Sequence, residues 1–285
     1  MSNLIKLGKV YLVGAGPGAV DLITVRGAKL LAKADIVFHD ALVDPEMLKL
    51  CPQAIKEPVG KRCGKLSSAQ QFINKRLIDA AQKYQIIVRL KGGDPMLFGR
   101  ADEEIRALKD HYIEVEVVPG ITAALAGAAA IQQSLTLRGV SRSVAFVTLA
   151  QGSENTLVTT NKKSQTLICP NADTLVYYMG RKDAGNIARQ LIENSSNHSS
   201  NTPVHILEAI STKNERHWSS TLGELANGKA NNWFDGASPA LIMVGDALRA
   251  KQQACKQKMD LQSSSAKINN SLQDGEILAN SRRSA

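Results

Sequence analysis

The chain has 285 residues, 44% hydrophobic and 4% aromatic, with a formal net charge of +9. That length supports two buried cores. No apolar run is long enough to span a bilayer, and Met1-Ser2-Asn3-Leu4-Ile5-Lys6 lacks the apolar stretch of a signal peptide, so a soluble cytoplasmic protein is expected. The positive charge suits a polyanionic small molecule, while sparse aromatics and dispersed cations argue against nucleic acid; Cys51, Cys63, Cys169 and Cys255 show no C-x-x-C spacing, so neither a metal site nor a disulfide framework is expected.

In chain order, the pattern predicts a strand at Lys9 to Gly14, a helix at Leu22 to Ala34 and a strand at Ile36 to His39. Asp44-Pro45 then signals a short helix to Cys51. A helix follows at Gln70 to Lys83, a strand at Ile86 to Leu90, a helix at Ala101 to Asp110 and a strand at Ile113 to Val118. The alanine-rich run Ile121 to Ile131 reads as a helix whose small side chains would pack closely beneath a ligand. This alternation predicts an α/β domain with a mainly parallel sheet.

The second half is more antiparallel in flavour. Strands are predicted at Ser143 to Leu149, Gln165 to Cys169, Thr174 to Met179, Val204 to Ala209 and Ala240 to Val244, with a helix at Ala184 to Asn194 and a helical turn at Gly223 to Asn227. The expected organisation is an N-terminal α/β domain over 1–119 and a C-terminal mixed α/β domain over 120–249, with the ligand site in the cleft between them. Residues 250–285 are polar, and disorder is expected there.

The densest chemistry lies in Val88-Arg89-Leu90-Lys91-Gly92-Gly93-Asp94-Pro95-Met96-Leu97-Phe98-Gly99-Arg100. An apolar strand runs there into two glycines and a carboxylate, so backbone must come close to something, and Asp94 either accepts from a ligand hydroxyl or caps the next turn. Gly14-x-Gly16-x-x-Ala19 after a strand satisfies the dinucleotide fingerprint, with Asp40 about where a ribose-binding acid belongs. Pro17, however, removes a backbone N–H from the loop that would cradle pyrophosphate, which leaves a dinucleotide-binding oxidoreductase as a remote alternative. His205 and His217 show no partner in sequence and read as structural.

Five segments stand in order: Gly14-Ala15-Gly16-Pro17-Gly18, Val59-Gly60-Lys61-Arg62, the Gly92-Gly93-Asp94 turn, Val118-Pro119-Gly120-Ile121-Thr122-Ala123-Ala124, and Tyr177-Tyr178-Met179-Gly180. Over residues 8 to 248 the chain resembles the uroporphyrinogen-III C-methyltransferases of the tetrapyrrole methylase family. The resemblance implies the two-domain fold of that family, S-adenosylmethionine as methyl donor, and a homodimer that methylates uroporphyrinogen III at C2 and C7 to give precorrin-2. No metal, nucleic acid or membrane is implied.

Residue by residue, the resemblance assigns Asp40 as proton acceptor and Lys61 as proton donor. Pro17, Gly92, Gly93, Asp94, Leu97, Thr122, Ala123, Met179, Ala209 and Ala240 match cofactor contacts, and Arg62, Arg100 and Arg138 match basic positions around the acceptor. Guanidinium groups suit carboxylates by bidentate bonding. Ala19, Ala41, Leu137 and Ala150 depart from the family pattern. A sister methyltransferase acting on a later precorrin shares the cofactor motifs; the Val-Gly-Lys-Arg and Gly-Arg signatures favour the uroporphyrinogen enzyme.

Overall fold

Runs of β-branched and apolar residues alternating with amphipathic stretches fold here into two sheets, each covered by helices on both faces. The computed structural model describes residues 7–59, 66–149 and 170–249. Lys61, Arg62, Cys63, Ala150, Cys169, the predicted strand at Gln165 to Cys169 and the segment 250–285 lie outside the described residues.

The first half contains β1 (Lys9–Gly14), α1 (Val25–Leu31), β2 (Ile36–His39), β3 (Ile55–Pro58), α2 (Leu66–Ala81), β4 (Ile86–Lys91), α3 (Ala101–Asp110) and β5 (Val115–Val118). Their strands form a five-stranded sheet in the order β3-β2-β4-β1-β5, with every pairing parallel. Alternation along each strand splits the core in two. Val10, Leu12, Ile36, Phe38 and Ile87 pack with Leu77 of α2 and Leu108 of α3, whereas Val13, Val37, Val88 and Leu90 pack with Leu31 of α1.

The predicted helix at Leu22 to Ala34 divides into a 3₁₀ turn at Val20–Leu22 and α1, because Thr24 is extended and its side chain caps the Gly27 N–H. Asp44 caps the 3₁₀ helix Pro45–Leu50 by accepting from Glu46 N, as its place before Pro45 implies.

The second half contains α4 (Ala123–Ala130), β6 (Val144–Thr148), β7 (Thr174–Tyr178), α5 (Ala184–Asn194), β8 (Pro203–Glu208), β9 (Arg216–Thr221), α6 (Leu222–Ala226) and β10 (Ala240–Val244). Its sheet runs β6-β7-β10-β8-β9, parallel at β6–β7 and antiparallel elsewhere. Leu175, Tyr177, Ile206 and Ile242 face α5 and α6; Val176, Leu207, Leu241 and Met243 face α4. The alanines of α4 pack on this face of the second sheet. They let the helix settle on β10, where a Cβ on Gly127 would meet Met243 Sδ at 3.3 Å.

The described residues up to Leu248 belong to one compact unit, and glycine joins its parts. A Cβ on Gly14 would lie 2.6 Å from Gly120 Cα and 2.7 Å from Gly93 O. A Cβ on Gly18 would meet Ile210 O at 2.8 Å, so the loop after β1 presses on the turn after β8. Gly120→Ala should therefore lower stability by about 1–3 kcal/mol, the usual cost of overpacking against backbone that cannot swing away. The check is a shift of the urea midpoint at unchanged m-value.

His205, on β8, is buried; its Nε2 bonds Leu248 O at 2.9 Å and its Nδ1 meets His217 Nε2 at 2.9 Å. A carbonyl only accepts, so Nε2 of His205 carries the proton, Nδ1 accepts, and His217 donates. Burial lowers the pKa of His198, His205 and His217 below the ordinary 6.5. Between the folded value and 6.5 the unfolded chain binds more protons, so stability falls as pH drops below about 6.5. The parent should lose more stability than His205→Gln between pH 7.5 and pH 5, read from urea midpoints, with exposed His217 contributing less.

Candidate active site

Parallel sheets bind ligands at the carboxyl ends of their strands, where successive connections leave toward opposite faces. That is the arrangement at the centre of the first sheet. After β1 the chain turns to α1 on one face, after β4 it turns to α3 on the other, and β1 pairs with β4 directly. Asp40 follows β2, Gly92-Gly93-Asp94 follows β4 and Gly120 follows β5, so these residues lie at one edge of the sheet.

Backbone bonds define that edge. Gly16 and Gly93 exchange N–H···O bonds of 3.2 and 2.7 Å, and Ala15 N donates to Lys91 O at 2.8 Å. Asp94 spends its carboxylate on the protein: Oδ1 accepts from Met96 N at 2.8 Å, capping the turn, and Oδ2 accepts from Gly120 N at 2.9 Å. Gly93 takes φ +68, and a Cβ there would find nothing nearer than Thr122 Cα at 4.0 Å, so its Cα faces open space. Gly92 looks across to Leu42 Cβ, 3.4 Å from where its own Cβ would stand.

The loop Gly14 to Ala19 does not form a phosphate cradle. Ala15 N and Gly16 N are bonded to Lys91 and Gly93 carbonyls, Ala19 N donates to Ser211 Oγ at 3.0 Å, and Pro17 has no N–H. The first full helix begins only at Val25, so the dinucleotide alternative lacks the donors that it needs.

Asp40 binds a side chain of the central strand. Arg89 Nη2 donates to Asp40 Oδ1 at 2.5 Å, and Asp40 is 30% exposed where Arg89 is 2% exposed. Behind Arg89 stands Glu104 of α3, fully buried, which accepts from Arg89 Nε at 3.1 Å, from Lys91 Nζ at 3.1 Å on each oxygen, and from Gln70 Nε2 at 3.2 Å. Burial opposes the Arg89 charge, but Glu104 and Asp40 together outweigh it and raise its pKa. Burial lowers the pKa of Lys91, and Arg89 beside it pushes the same way. Two cations and two anions thus occupy one face of the central strand. A charged residue within a strand gives no sequence sign of such a partner, and the sequence reading did not identify Arg89, Lys91, Glu104 or Gln70.

The second sheet contributes strand ends. Tyr178 Oη lies 2.5 Å from Thr122 Oγ1 and accepts from Ala124 N at 3.0 Å, so a side chain from β7 caps α4 and fixes Thr122 and Ala123 beside it. Burial raises the Tyr178 pKa. Phe98 packs edge-on against the same ring at 5.1 Å, joining the turn that contains Leu97 to β7. Met179 follows with φ +57 and 54% exposure, and Ala209 follows β8 with φ +49. Ala209 N donates to Pro239 O at 3.2 Å, which sets Ala209 beside Ala240. Gly93 therefore lies near Thr122, which is bonded to Tyr178 directly before Met179, while Pro17 precedes Gly18, which presses on the turn after β8.

Left-handed backbone at non-glycine residues concentrates here. Tyr112 and Gln132 take positive φ just past the ends of α3 and α4, an ordinary way to finish a helix. Phe98, Arg100, Met179, Ala209 and Ser211 do so in the turns that meet at the site. Such strain persists where the surroundings over-determine it, which happens often at ligand sites.

Among the described residues, the predicted basic positions Arg100 and Arg138 are placed differently. Arg100 is bidentate to Glu103, Nε to Oε1 at 2.6 Å and Nη2 to Oε2 at 2.7 Å. Arg138 is exposed on the turn closed by the Leu137–Ser141 bridge. A shallow hollow lined by Tyr11, Arg26, Lys29, Lys33 and Glu116 shares no residue with the site, and its Glu116 is paired with Lys9 and Arg26.

A family profile described as Tetrapyrrole (Corrin/Porphyrin) Methylases matches residues 9–226. The chain is 40% identical over 242 residues to a uroporphyrinogen-III C-methyltransferase of Pseudomonas aeruginosa, covering 85% of this chain and 95% of that one. Its fold matches the crystal structure of the uroporphyrin-III C-methyl transferase of Thermus thermophilus complexed with S-adenyl homocysteine, with a TM-score of 0.69, 34% identity, and coverage of 85% and 94%. A cobalt precorrin-4 methyltransferase of cobalamin biosynthesis is similar at a TM-score of 0.67 and 26% identity, with coverage of 85% and 96%. A family profile matching most of the chain, together with a relative 40% identical over 85% of it, shows that the chain belongs to the tetrapyrrole methylase family.

Proposed function

We propose that the chain transfers methyl groups from S-adenosylmethionine to C2 and C7 of uroporphyrinogen III, giving precorrin-2, in the cleft between its 1–119 and 120–249 halves. The observation that carries this reading over a later precorrin as acceptor is the higher identity to uroporphyrinogen-III C-methyltransferases than to the cobalt precorrin-4 enzyme. The net charge of +9 suits an acceptor bearing many carboxylates. A homodimer in the cytoplasm is part of the same proposal; among the described residues no helix is long and apolar enough to cross a membrane.

The residues at the site edge fit a donor of this kind. The open face of Gly93 lets a flat or extended ligand lie on backbone, and the side chains of Met179 and Leu97 offer apolar surface. Thr122, Ala123, Ala209 and Ala240 supply small side chains and main-chain groups, with Pro17, Gly92 and Asp94 shaping the floor. When bound, S-adenosylmethionine supplies an electrophilic methyl group on a sulfonium.

The chain's own part is to align the acceptor carbon, exclude water and take the proton that alkylation of a pyrrole carbon releases. In this reading Asp40 takes that proton. Oδ1 is held by Arg89, and among the described residues no group donates to Oδ2, which leaves an acceptor on a partly exposed carboxylate. Lys61, Arg62, Arg100 and Arg138 are proposed as the cations that meet the acceptor's carboxylates, with Lys61 also returning a proton. Arg100 would do so by exchanging Glu103 for substrate.

Incubating purified full-length protein with uroporphyrinogen III and S-adenosylmethionine should give a product heavier by two CH2 units. Transfer to a later precorrin, with none to uroporphyrinogen III, would replace this reading by the sister activity. Asp40→Asn keeps the shape but removes the basicity, so turnover should fall about 10²–10⁴-fold while S-adenosylhomocysteine affinity, measured by calorimetry, stays at the parent value.

Tyr178→Phe removes the cap on α4 and the bond to Thr122 without changing the ring. S-adenosylhomocysteine should bind about 5–10-fold more weakly, the worth of one hydrogen bond, with thermal stability little changed. Unchanged affinity in the same titration would detach Thr122 and Ala123 from the donor site.

A further inference from the structure

We propose that Arg89 is a positioning residue for the reaction: fixed inside the first sheet, it holds the Asp40 carboxylate in a single orientation, with one oxygen bound and the other turned to the acceptor. The inference rests on the role given to Asp40 above and names what makes that role geometrically possible.

Every Arg89 contact serves this fixation. Nε donates to Glu104 Oε1 at 3.1 Å, Nη1 to Leu90 O at 3.2 Å and Nη2 to Asp40 Oδ1 at 2.5 Å. Asp40 N donates to the same Leu90 carbonyl at 3.3 Å. The carboxylate and its holder are thus referenced to one atom of the central strand. A guanidinium is the one side chain that reaches three acceptors from a planar fork, and a lysine at this position could not.

Glu104 supports Arg89 from behind. With Lys91 and Gln70 also donating to it, Glu104 has little freedom to turn, and Arg89 inherits that rigidity. Three of the four charges are nearly or wholly buried, at 2% for Arg89, 4% for Lys91 and 0% for Glu104, and only Asp40 reaches solvent, at 30%. Removing charges from water is costly, and apolar residues of similar volume commonly serve stability as well or better. A cluster built inward from one partly exposed carboxylate is accounted for by what it does to that carboxylate.

The test is a double-mutant cycle on the full-length protein, read as single-turnover methyl transfer to uroporphyrinogen III. Arg89→Lys keeps the charge but cannot hold both Glu104 and Asp40. It should slow transfer about 10–100-fold while S-adenosylhomocysteine affinity stays within about 2-fold of the parent. In an Asp40→Asn background the same substitution should change the rate by less than about 2-fold, because the group it positions is already disabled. Arg89→Met combined with Glu104→Gln, which leaves Lys91 and Asp40 balanced, provides a second route should Arg89→Lys fold poorly, with the same expected pattern.

Rate losses that multiply in the double variant would overturn positioning through Asp40 and make Arg89 a structural residue. An unchanged rate in Arg89→Lys would overturn it too. A parental rate in Asp40→Asn alone would instead remove Asp40 from the chemistry, and the positioning role would fall with it.

Discussion

The site exists because three strand ends touch without side chains between them. Gly14, Gly93 and Gly120 close the carboxyl ends of β1, β4 and β5 so tightly that a Cβ on Gly14 would stand 2.6 Å from Gly120 Cα. From that contact the rest follows by short links. Asp94 reaches Gly120 N, the chain after Gly120 delivers Thr122 to a place beside Gly93, and Tyr178 binds Thr122 and the start of α4. Separating the glycines by even one methyl group would move Thr122 and Ala123 relative to the Gly93 turn, and Met179 would lose its place relative to both.

Placing charge inside a parallel sheet runs against the usual composition of such strands, which are apolar on both faces. β4 keeps Val88 and Leu90 for one face and turns Arg89 and Lys91 to the other, beneath α2 and α3. Desolvation of these groups is offset only because Glu104 and Asp40 match them charge for charge and because each buried donor finds an oxygen. The cluster thereby restricts α3 to one seating on the sheet, since any slip of Glu104 would leave the buried Lys91 without its anion and Arg89 with Asp40 alone. Rigidity of α3 and direction of Asp40 are two consequences of the same bonds.

Most strands and helices were legible in the sequence, and the exceptions have physical causes. Strands at Lys9–Gly14, Ile36–His39 and Ala240–Val244 and helices at Ala101–Asp110 and Ala184–Asn194 stand where the hydrophobic period put them. The strands Ile55–Pro58 and Arg216–Thr221 escaped notice, and both lie at sheet edges. Edge strands favour charged and polar residues and proline, as Lys56-Glu57-Pro58 and Arg216-His217 do here, so the alternating pattern is lost. Glu104 sits in Ala-Asp-Glu-Glu-Ile-Arg-Ala-Leu-Lys-Asp, which reads as a solvated face, and its burial depends on cations that arrive from another element. Its partners are local to the fold and remote in the chain, as are those of His205 and His217.

The two sheets divide the work according to what each architecture supplies. A parallel sheet brings several strand ends to one edge, so backbone and charge from distant parts of the chain converge there, as Asp40, Gly93 and Gly120 do. The antiparallel pairs of the second sheet alternate direction, so only some of its strand ends can face that edge; β7 and β8 present theirs as Met179 and Ala209, each followed or preceded by a sharp turn. Both residues take left-handed backbone although neither is glycine, which costs about 1–3 kcal/mol apiece and calls for compensation from their neighbours. For Met179 the compensation is the Tyr178 ring, pinned by Thr122 and Ala124 and flanked by Phe98 and Phe146. For Ala209 it is the bond to Pro239 O and the closure of the next turn by Thr212 N onto Ala209 O. Strain held in this way at strand ends of one sheet, with glycine-permitted backbone at the strand ends of the other, fixes the shape of these turns through the protein's own contacts.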